Sequence, residues 1–494
     1  MTDLDRTAAP DAAWGVAPPR AGEPGTRPGS PVLTVVLTSV AYFMVALDAL
    51  VVITALPSIH RDLGGSAGML QWTVSAYAMA YGAGILTAAA LGDRLGRRRL
   101  YVLGLGVFTT ASAACALAPG LGVLITFRAV QGLGAAIIMP LGLTLLTSAF
   151  PVQRRGAVVG IWGGVAGLAV AAGPLVGGAV TQGLDWHWIF WVNVPVGVAA
   201  LIWSRLRLPE SYGARSRLDV PGLVLISAGV GVLIWGLVQG TQEGWGSAPI
   251  LAALILGAAL IAAFLAWEAR APEPMIPLRL FRAASFSAAV GTQFFMGATI
   301  FSATFLTSQF FQFARGDSPL GTGLRFLPWT ATPLIVVPIA GALFDRAGAR
   351  PLVVPGLAMQ ALGLAWVAWL AGTSRGYGSY VVPFVIAGTG ISMAIPCVAA
   401  AGLNAVAPAS LAKAAGVLNT MQQFGAVFGI AVVTAVFNAH GSFASPAAVS
   451  HGYRPAVAVS AAFSVVAALT ALGIRRRTAG APPVAVPGAD GRPR

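Results

Sequence analysis

The sequence predicts an all-α polytopic membrane protein with fourteen transmembrane helices. Three observations predict it: scarcity of charge, the number and length of the apolar runs, and the one-sided placement of arginine. Of 494 residues, 57% are hydrophobic and only 9% are charged. A water-soluble domain carries roughly 25% charged residues, so this chain has too few to cover a globule of its size.

Apolar runs occupy 32–58, 70–91, 100–118, 121–149, 157–181, 188–204, 219–239, 248–267, 284–310, 319–343, 351–371, 379–402, 414–438 and 455–474. Each approaches or exceeds the about 20 residues a helix needs to cross the hydrocarbon core. Backbone groups in lipid must be satisfied within the segment, which dictates helices. The alternating ten-residue pattern of a β-barrel is absent. Residues 1–31 and 475–494 are rich in Pro, Gly, Ala and charge, and read as disordered cytoplasmic tails, the first of them not a cleaved signal. Cys115 and Cys397 fall inside apolar runs, where packing is expected and a disulfide is not.

Arginine sets the orientation. With both termini inside, 24 of the 30 basic residues fall in inside segments. Four fall outside (Arg61, Arg315, Arg375 and Arg454), and Arg128 and Arg325 lie within runs. Miscounting one span would invert every later loop, so the split supports both the count and the cytoplasmic termini. The chain has a single lysine, Lys413. The net charge of +14 is spread between apolar runs rather than gathered on one basic domain, which argues against nucleic acid as a partner.

The inside loop "LGDRLGRRRL" carries Asp93, Arg94, Gly96, Arg97, Arg98 and Arg99, and "GALFDRAGAR" carries Asp345, Arg346, Gly348 and Arg350. The shared core is Asp-Arg-x-Gly-x-Arg. The two loops are eight spans apart and therefore on the same face. A duplicated six-span unit with two extra helices between its copies gives that offset, and internal duplication marks secondary transporters. The halves are 32–204 and 284–474, with an inserted pair and its flanking loops at 205–283.

These residues resemble the signature Gly-x-x-x-Asp-Arg-x-Gly-Arg-Arg of the major facilitator superfamily. Ala89 stands where the first glycine is usual, and Gly341 keeps it in the second half. "LITFRAVQGLGAA" (124–136) resembles the superfamily's fourth-span motif with its membrane arginine, Arg128. "AVAAGPLVGG" (169–178) resembles the fifth-span Gly-Pro motif of antiporters. "LDALVVITALP" (47–57), "WHWIFWVNVPVG" (186–197, with His187 where arginine is usual) and "SPLGTGLRFLP" (318–328) resemble the fourteen-span drug:proton antiporter branch. The resemblance covers about 30–475 and implies the major facilitator fold, two six-helix halves plus two inserted helices.

Among sixteen acids, Asp48 alone lies inside a span. A mid-bilayer carboxylate costs about 2.5–3.5 kcal/mol on insertion scales. Protonation offsets that cost and makes Asp48 the expected proton carrier. Arg128, with Gln131 one helical turn on, is expected to pair with polar groups and tune it. The alternative for Arg128 is a structural tie between helices. Asp93, Arg94, Gly96, Arg97 and Arg98, with Asp345, Arg346, Gly348 and Arg350, form the expected gating loops, Gly96 supplying a tight turn. Their alternative is a topology signal alone. Gly173, Pro174, Gly177 and Gly178 allow close helix approach and a bend, and the resemblance links them to antiport. Gln131, Gln293, Phe294 and Gln422 are the expected substrate-binding groups.

A phosphate loop would end Gly-Lys-Ser/Thr, but Lys413 is followed by Ala414. The four histidines are dispersed, and no cluster suits a metal or nucleophile. The expectation is therefore a non-enzyme with no cofactor, driven by the proton motive force. It would be a monomer in the cell (cytoplasmic) membrane, surrounded by the lipid bilayer. It would export hydrophobic or cationic drug-like small molecules such as antibiotics in exchange for protons. A metabolite transporter of the same fold, and beyond it a membrane receptor or enzyme, are the alternatives.

Overall fold

The structure, a computed structural model, describes residues 30–475 except 151, 213–218, 272–273, 275, 277, 372–375 and 408–409. The expected tails lie outside the described residues, apart from their innermost positions. The first half comprises α1 (Pro31–Leu63), α2 (Ala67–Leu95), α3 (Arg97–Ala116), α4 (Leu121–Ser148), α5 (Val152–Gly183), α6 (Trp188–Trp191) and α7 (Asn193–Arg207). The inserted pair is α8 (Val220–Glu243) and α9 (Ala248–Glu268). The second half comprises α10 (Ala284–Gln309), α11 (Pro319–Thr330), α12 (Thr332–Ala347), α13 (Arg350–Leu370), α14 (Gly378–Asn404), α15 (Leu411–His440) and α16 (Pro446–Ala471).

Among the described residues, twelve helices are long and apolar enough to cross a membrane. Helix α2 is bent by 46° between Gly68–Ile85 and Thr87–Leu95, and makes a thirteenth when the two pieces count as one span. The runs at 70–91 and 157–181 account for the difference from the expected fourteen. The second of these lies in α5, a helix of 32 residues whose first half carries many side chains outside the described ones. The run at 319–343 is two helices meeting at Ala331. Pro333, in the first turn of α12, has no amide proton to continue the ladder.

Local signals end and begin the helices. The Ser66 side chain accepts the Met69 amide at the start of α2, and Asp219 accepts the Gly222 amide at 2.9 Å to cap α8. Gly96 (φ +108°) and Gly348 (φ +79°) end α2 and α12 at equivalent points of the repeat. Both occupy a backbone region that L side chains rarely adopt, so the sequence repeat is also a repeat of backbone shape, and Gly96 makes the expected turn.

Within the first half α2 and α3 pack on α4, and α1 packs on α5; within the second, α10 packs on α15 and α16, and α13 on α14 and α16. At the end opposite the two glycine turns, both halves share one apolar core, with Leu56, Ile59 and Leu121 against Phe310, Phe311 and Phe326. Toward the turn end the first half has its own cluster (Leu37, Tyr101, Leu145), while another (Leu357, Val398, Val427) joins the second half to Ala78 of α2 and Ile226 of α8. The inserted pair packs on itself and on α2 and α15, the α8 helix making that contact.

Candidate transport site

Asp48 on α1 and Arg128 on α4 meet inside the first half. The Asp48 side chain is 1% exposed and that of Arg128 0%. Arg128 Nη1 donates to Asp48 Oδ2 at 2.5 Å. The other carboxylate oxygen, Oδ1, accepts Gln131 Nε2 and Asn193 Nδ2, each at 2.9 Å. Ser112 on α3 joins the network through Gln131 Nε2 at 2.6 Å and Asn193 Nδ2 at 3.3 Å. Arg128 Nη1 also donates to Gln131 Oε1 at 2.7 Å, and its Nε donates to the Thr73 carbonyl at 3.0 Å. Its guanidinium lies over the Tyr77 ring, 4.2 Å from the centroid, a desolvated cation–π contact. Arg128 and Gln131 share a helix face because they are one turn apart, and α1, α2, α3 and α7 supply the rest.

Both carboxylate oxygens of Asp48 are engaged by donors, which ties α1 to α4 and α7. Loss of either charge would leave the other buried without a counter-ion.

The fifth-span motif packs α5 against α1 through Gly173 and Gly177, and against α11 of the other half through Pro174 and Gly178. A Cβ on Gly173 would lie 2.7 Å from Leu50 Cβ, and one on Gly177 only 2.2 Å from Thr54 Oγ1. One on Gly178 would lie 2.2 Å from the Pro319 carbonyl oxygen, and one on Gly323 of α11 2.5 Å from that of Pro174. The backbones of α5 and α11 touch because neither has a side chain there. Nearby, Gln312 Nε2 donates to the Thr54 carbonyl at 2.9 Å, Ser308 Oγ to that of Ile53 at 3.4 Å, and the Leu320 amide to Gln182 Oε1 at 3.2 Å. Beside this seam Asp317 pairs with Arg325. Burial raises the Asp317 carboxyl above its ordinary pKa, against the lowering pull of Arg325 and Arg315. Toward the turn end the halves touch again, where Thr420 Oγ1 donates to the Gly82 carbonyl at 3.1 Å.

In the first repeat loop, Asp93 pairs with Arg97 at 2.8 Å, bridging α2 and α3 across Gly96. Arg98 is tied to the segment after α7: its amide donates to Glu210 Oε1 at 2.9 Å and its Nη1 to the Leu208 carbonyl at 3.1 Å. Arg99 lies 3.7 Å from Glu210 and is 70% exposed. Arg94 is exposed. In the second loop Arg346 is exposed and Arg350 opens α13, while the Asp345 side chain lies outside the described residues.

The expected substrate groups divide. Gln131 is 0% exposed within the Asp48 network. Gln293, Phe294 and Gln422 sit in the second half at the α10–α15 crossing. There a Cβ on Gly297 would meet the Gln422 carbonyl and one on Gly425 that of Phe294. Gln293 is buried, and Phe294 contacts the rings of Phe295 and Phe428.

The chain matches the family Major Facilitator Superfamily over residues 38–430. The chain belongs to the major facilitator superfamily. It is 35% identical over 409 residues to the multidrug resistance protein Stp of Mycobacterium tuberculosis, covering 82% of this chain and 76% of Stp. It is 34% identical over 412 residues to the tetracenomycin C resistance and export protein of Streptomyces glaucescens, with the same coverage. A solved structure of a POT family transporter in complex with 5-aminolevulinic acid shares the fold, with a TM-score of 0.67 at 15% identity over 89% of this chain and 94% of that one. The protein is thus a multi-pass, all-helical member of the superfamily.

Reading this superfamily member from sequence alone missed Asn193, Ser112, Tyr77 and Glu210. Asn193 sits in the motif at 186–197 and is its only amide, so a search for polar residues in apolar runs finds it. Glu210 is an acid just beyond a run, opposite in sign to the arginine loop. Ser112 and Tyr77 have no sequence signal that separates them from other helix residues.

Proposed function

We propose that this protein exports hydrophobic or cationic small molecules, such as antibiotics, across the cytoplasmic membrane in exchange for protons. The observation that carries the reading is the buried Asp48–Arg128 pair inside a superfamily fold. Relatives at 34–35% identity named for multidrug resistance and for antibiotic resistance and export support the substrate class. Fourteen spans with both termini cytoplasmic follow if α2 and α5 each cross the bilayer; the arginine distribution supports that orientation. In it, the shared core and the α5–α11 contact lie at the extracellular end, and α2 meets α15 toward the cytoplasmic end. The protein works as a monomer, with neither cofactor nor catalytic residues, and the proton gradient is its energy source.

Drug-induced proton movement in everted vesicles energised by respiration tests the reading. Asp48→Asn should abolish uphill drug transport driven by the pH gradient while downhill exchange partly survives. Full proton-coupled transport by that variant would move the coupling site elsewhere.

A further inference from the structure

An apolar cleft of about 120 Å³ opens where the inserted pair meets both halves. Ile226 on α8, Phe264 and Leu265 on α9, Gly82 on α2 and Met421 on α15 line it. Leu278 and Phe281 close one side. These two belong to a single 3-10 turn, Leu278–Arg282. With three residues per turn, positions three apart share a face, so Leu278 and Phe281 look into the cleft together. Arg279 and Arg282 share the adjoining face and are both exposed. One turn therefore presents an apolar edge to the cleft and two guanidinium groups beside it.

Among the described residues, no salt bridge joins an acid to Arg279 or Arg282. Glu268, at the end of α9, is 3% exposed and accepts the Ile276 amide at 3.2 Å. Lys413 Nζ donates to the Pro274 carbonyl at 2.6 Å, holding the linker against α15 and adding a further positive charge. Leu256 and Leu265 on α9 are exposed, so the helix presents an apolar face beside the cleft.

We infer that the cleft between the inserted pair and the two halves binds an anionic phospholipid, an acyl chain in the slot and the headgroup phosphate on Arg279 and Arg282. Basic pockets between transmembrane helices bind acidic headgroups in this way. The two arginines repel the cationic compounds proposed above as cargo, which disfavours the cleft as their way in. The leaflet, cytoplasmic, rests on the orientation given under the proposed function; the binding itself does not. A lipid there touches both halves and the inserted pair across the Thr420–Gly82 contact, and so can bias how the halves rock.

Native mass spectrometry of the purified full chain, titrated with dioleoylphosphatidylglycerol or dioleoylphosphatidylcholine, reads the proposal without any gradient or drug. The wild type should retain phosphatidylglycerol in preference to phosphatidylcholine. Near a membrane surface each basic residue contributes about 1 kcal/mol, so Arg279→Gln with Arg282→Gln should weaken phosphatidylglycerol binding ~30-fold and leave phosphatidylcholine unchanged. Leu265→Trp, at an exposed position on the cleft wall, should reduce retention of both lipids. Circular dichroism and gel filtration check that each variant is folded. Equal retention of both lipids by the wild type, or unchanged phosphatidylglycerol binding in either variant, overturns the site. Displacement of the lipid by ethidium, undiminished in the double arginine variant, overturns it in favour of a drug-binding cleft. Loss of efflux with Asp48→Asn leaves all these outcomes untouched, so the two readings fail separately.

Discussion

A carboxylate and a guanidinium 2.5 Å apart, both sealed from solvent, are a costly way to join two helices. Two apolar residues of similar volume often do it as well or better. Breaking such a pair on one side costs about 3–5 kcal/mol, because the survivor is a buried charge without a partner. Asp48→Asn should therefore lower thermal stability as well as coupling. Removing both charges, with Asp48→Asn and Arg128→Gln together, should recover most of the stability and none of the proton-coupled transport. Thermal unfolding in detergent and vesicle transport, measured on the single and double variants, separate the roles. Recovery of transport along with stability would reduce the pair to a structural tie. A second acid makes a pH prediction. Burial raises the Asp317 pKa above its ordinary value, so the folded protein holds that proton better than the unfolded chain. The stability it contributes is present below the ordinary carboxylate range and is lost as pH rises through the raised value. Asp317→Asn cannot titrate, so its melting temperature should climb relative to the wild type as pH rises across that interval. The opposite slope would mean that the Arg325 pair outweighs burial.

At the scale of elements, the α5–α11 contact holds the halves together at the end opposite the glycine turns. A valine at Gly178 would place its Cβ 2.2 Å from a backbone carbonyl oxygen of Pro319, and backbone cannot step aside as a flexible side chain can. Gly178→Val should wedge the seam and shift the population toward the state open at that end. A cysteine introduced at Thr54, beside Gln312, should then react faster with an impermeant maleimide in Gly178→Val than in a Gly178 background. Equal labelling rates would show that the contact does not hold the closed state. The element boundaries follow from local chemistry, because prolines in first turns, a serine or aspartate cap and the two positive-φ glycines act within a few residues of sequence. The bend of α2 and the break of α11–α12 were harder to read. Hydropathy measures composition along a run, and both runs remain apolar through the point where the helix changes direction.

At the scale of the whole molecule, the number of crossings is the first thing to test. In a background with Cys115→Ser and Cys397→Ser, cysteines at Tyr212 and Gly246 flank α8, and both positions are exposed. Labelling from opposite sides is expected if α8 spans; labelling from one side would sink the fourteen-span topology. The sequence by itself determined the membrane class, the all-helical fold, the repeated loop core and Asp48 as an acid deep within a helical run. Those properties are written in composition, run length and repeat spacing, which need no knowledge of neighbours in space. Tertiary structure alone decided that Asn193 and Ser112, 145 and 64 residues beyond Asp48, complete its hydrogen bonding with Gln131. It alone decided that Gln131 serves this network, that Glu210 receives the arginine loop, and that Gly178 lies against Pro319. Each of those facts depends on which faces of distant helices meet. That is settled by the packing of whole helices, where a single polar atom is buried or satisfied according to what stands opposite it.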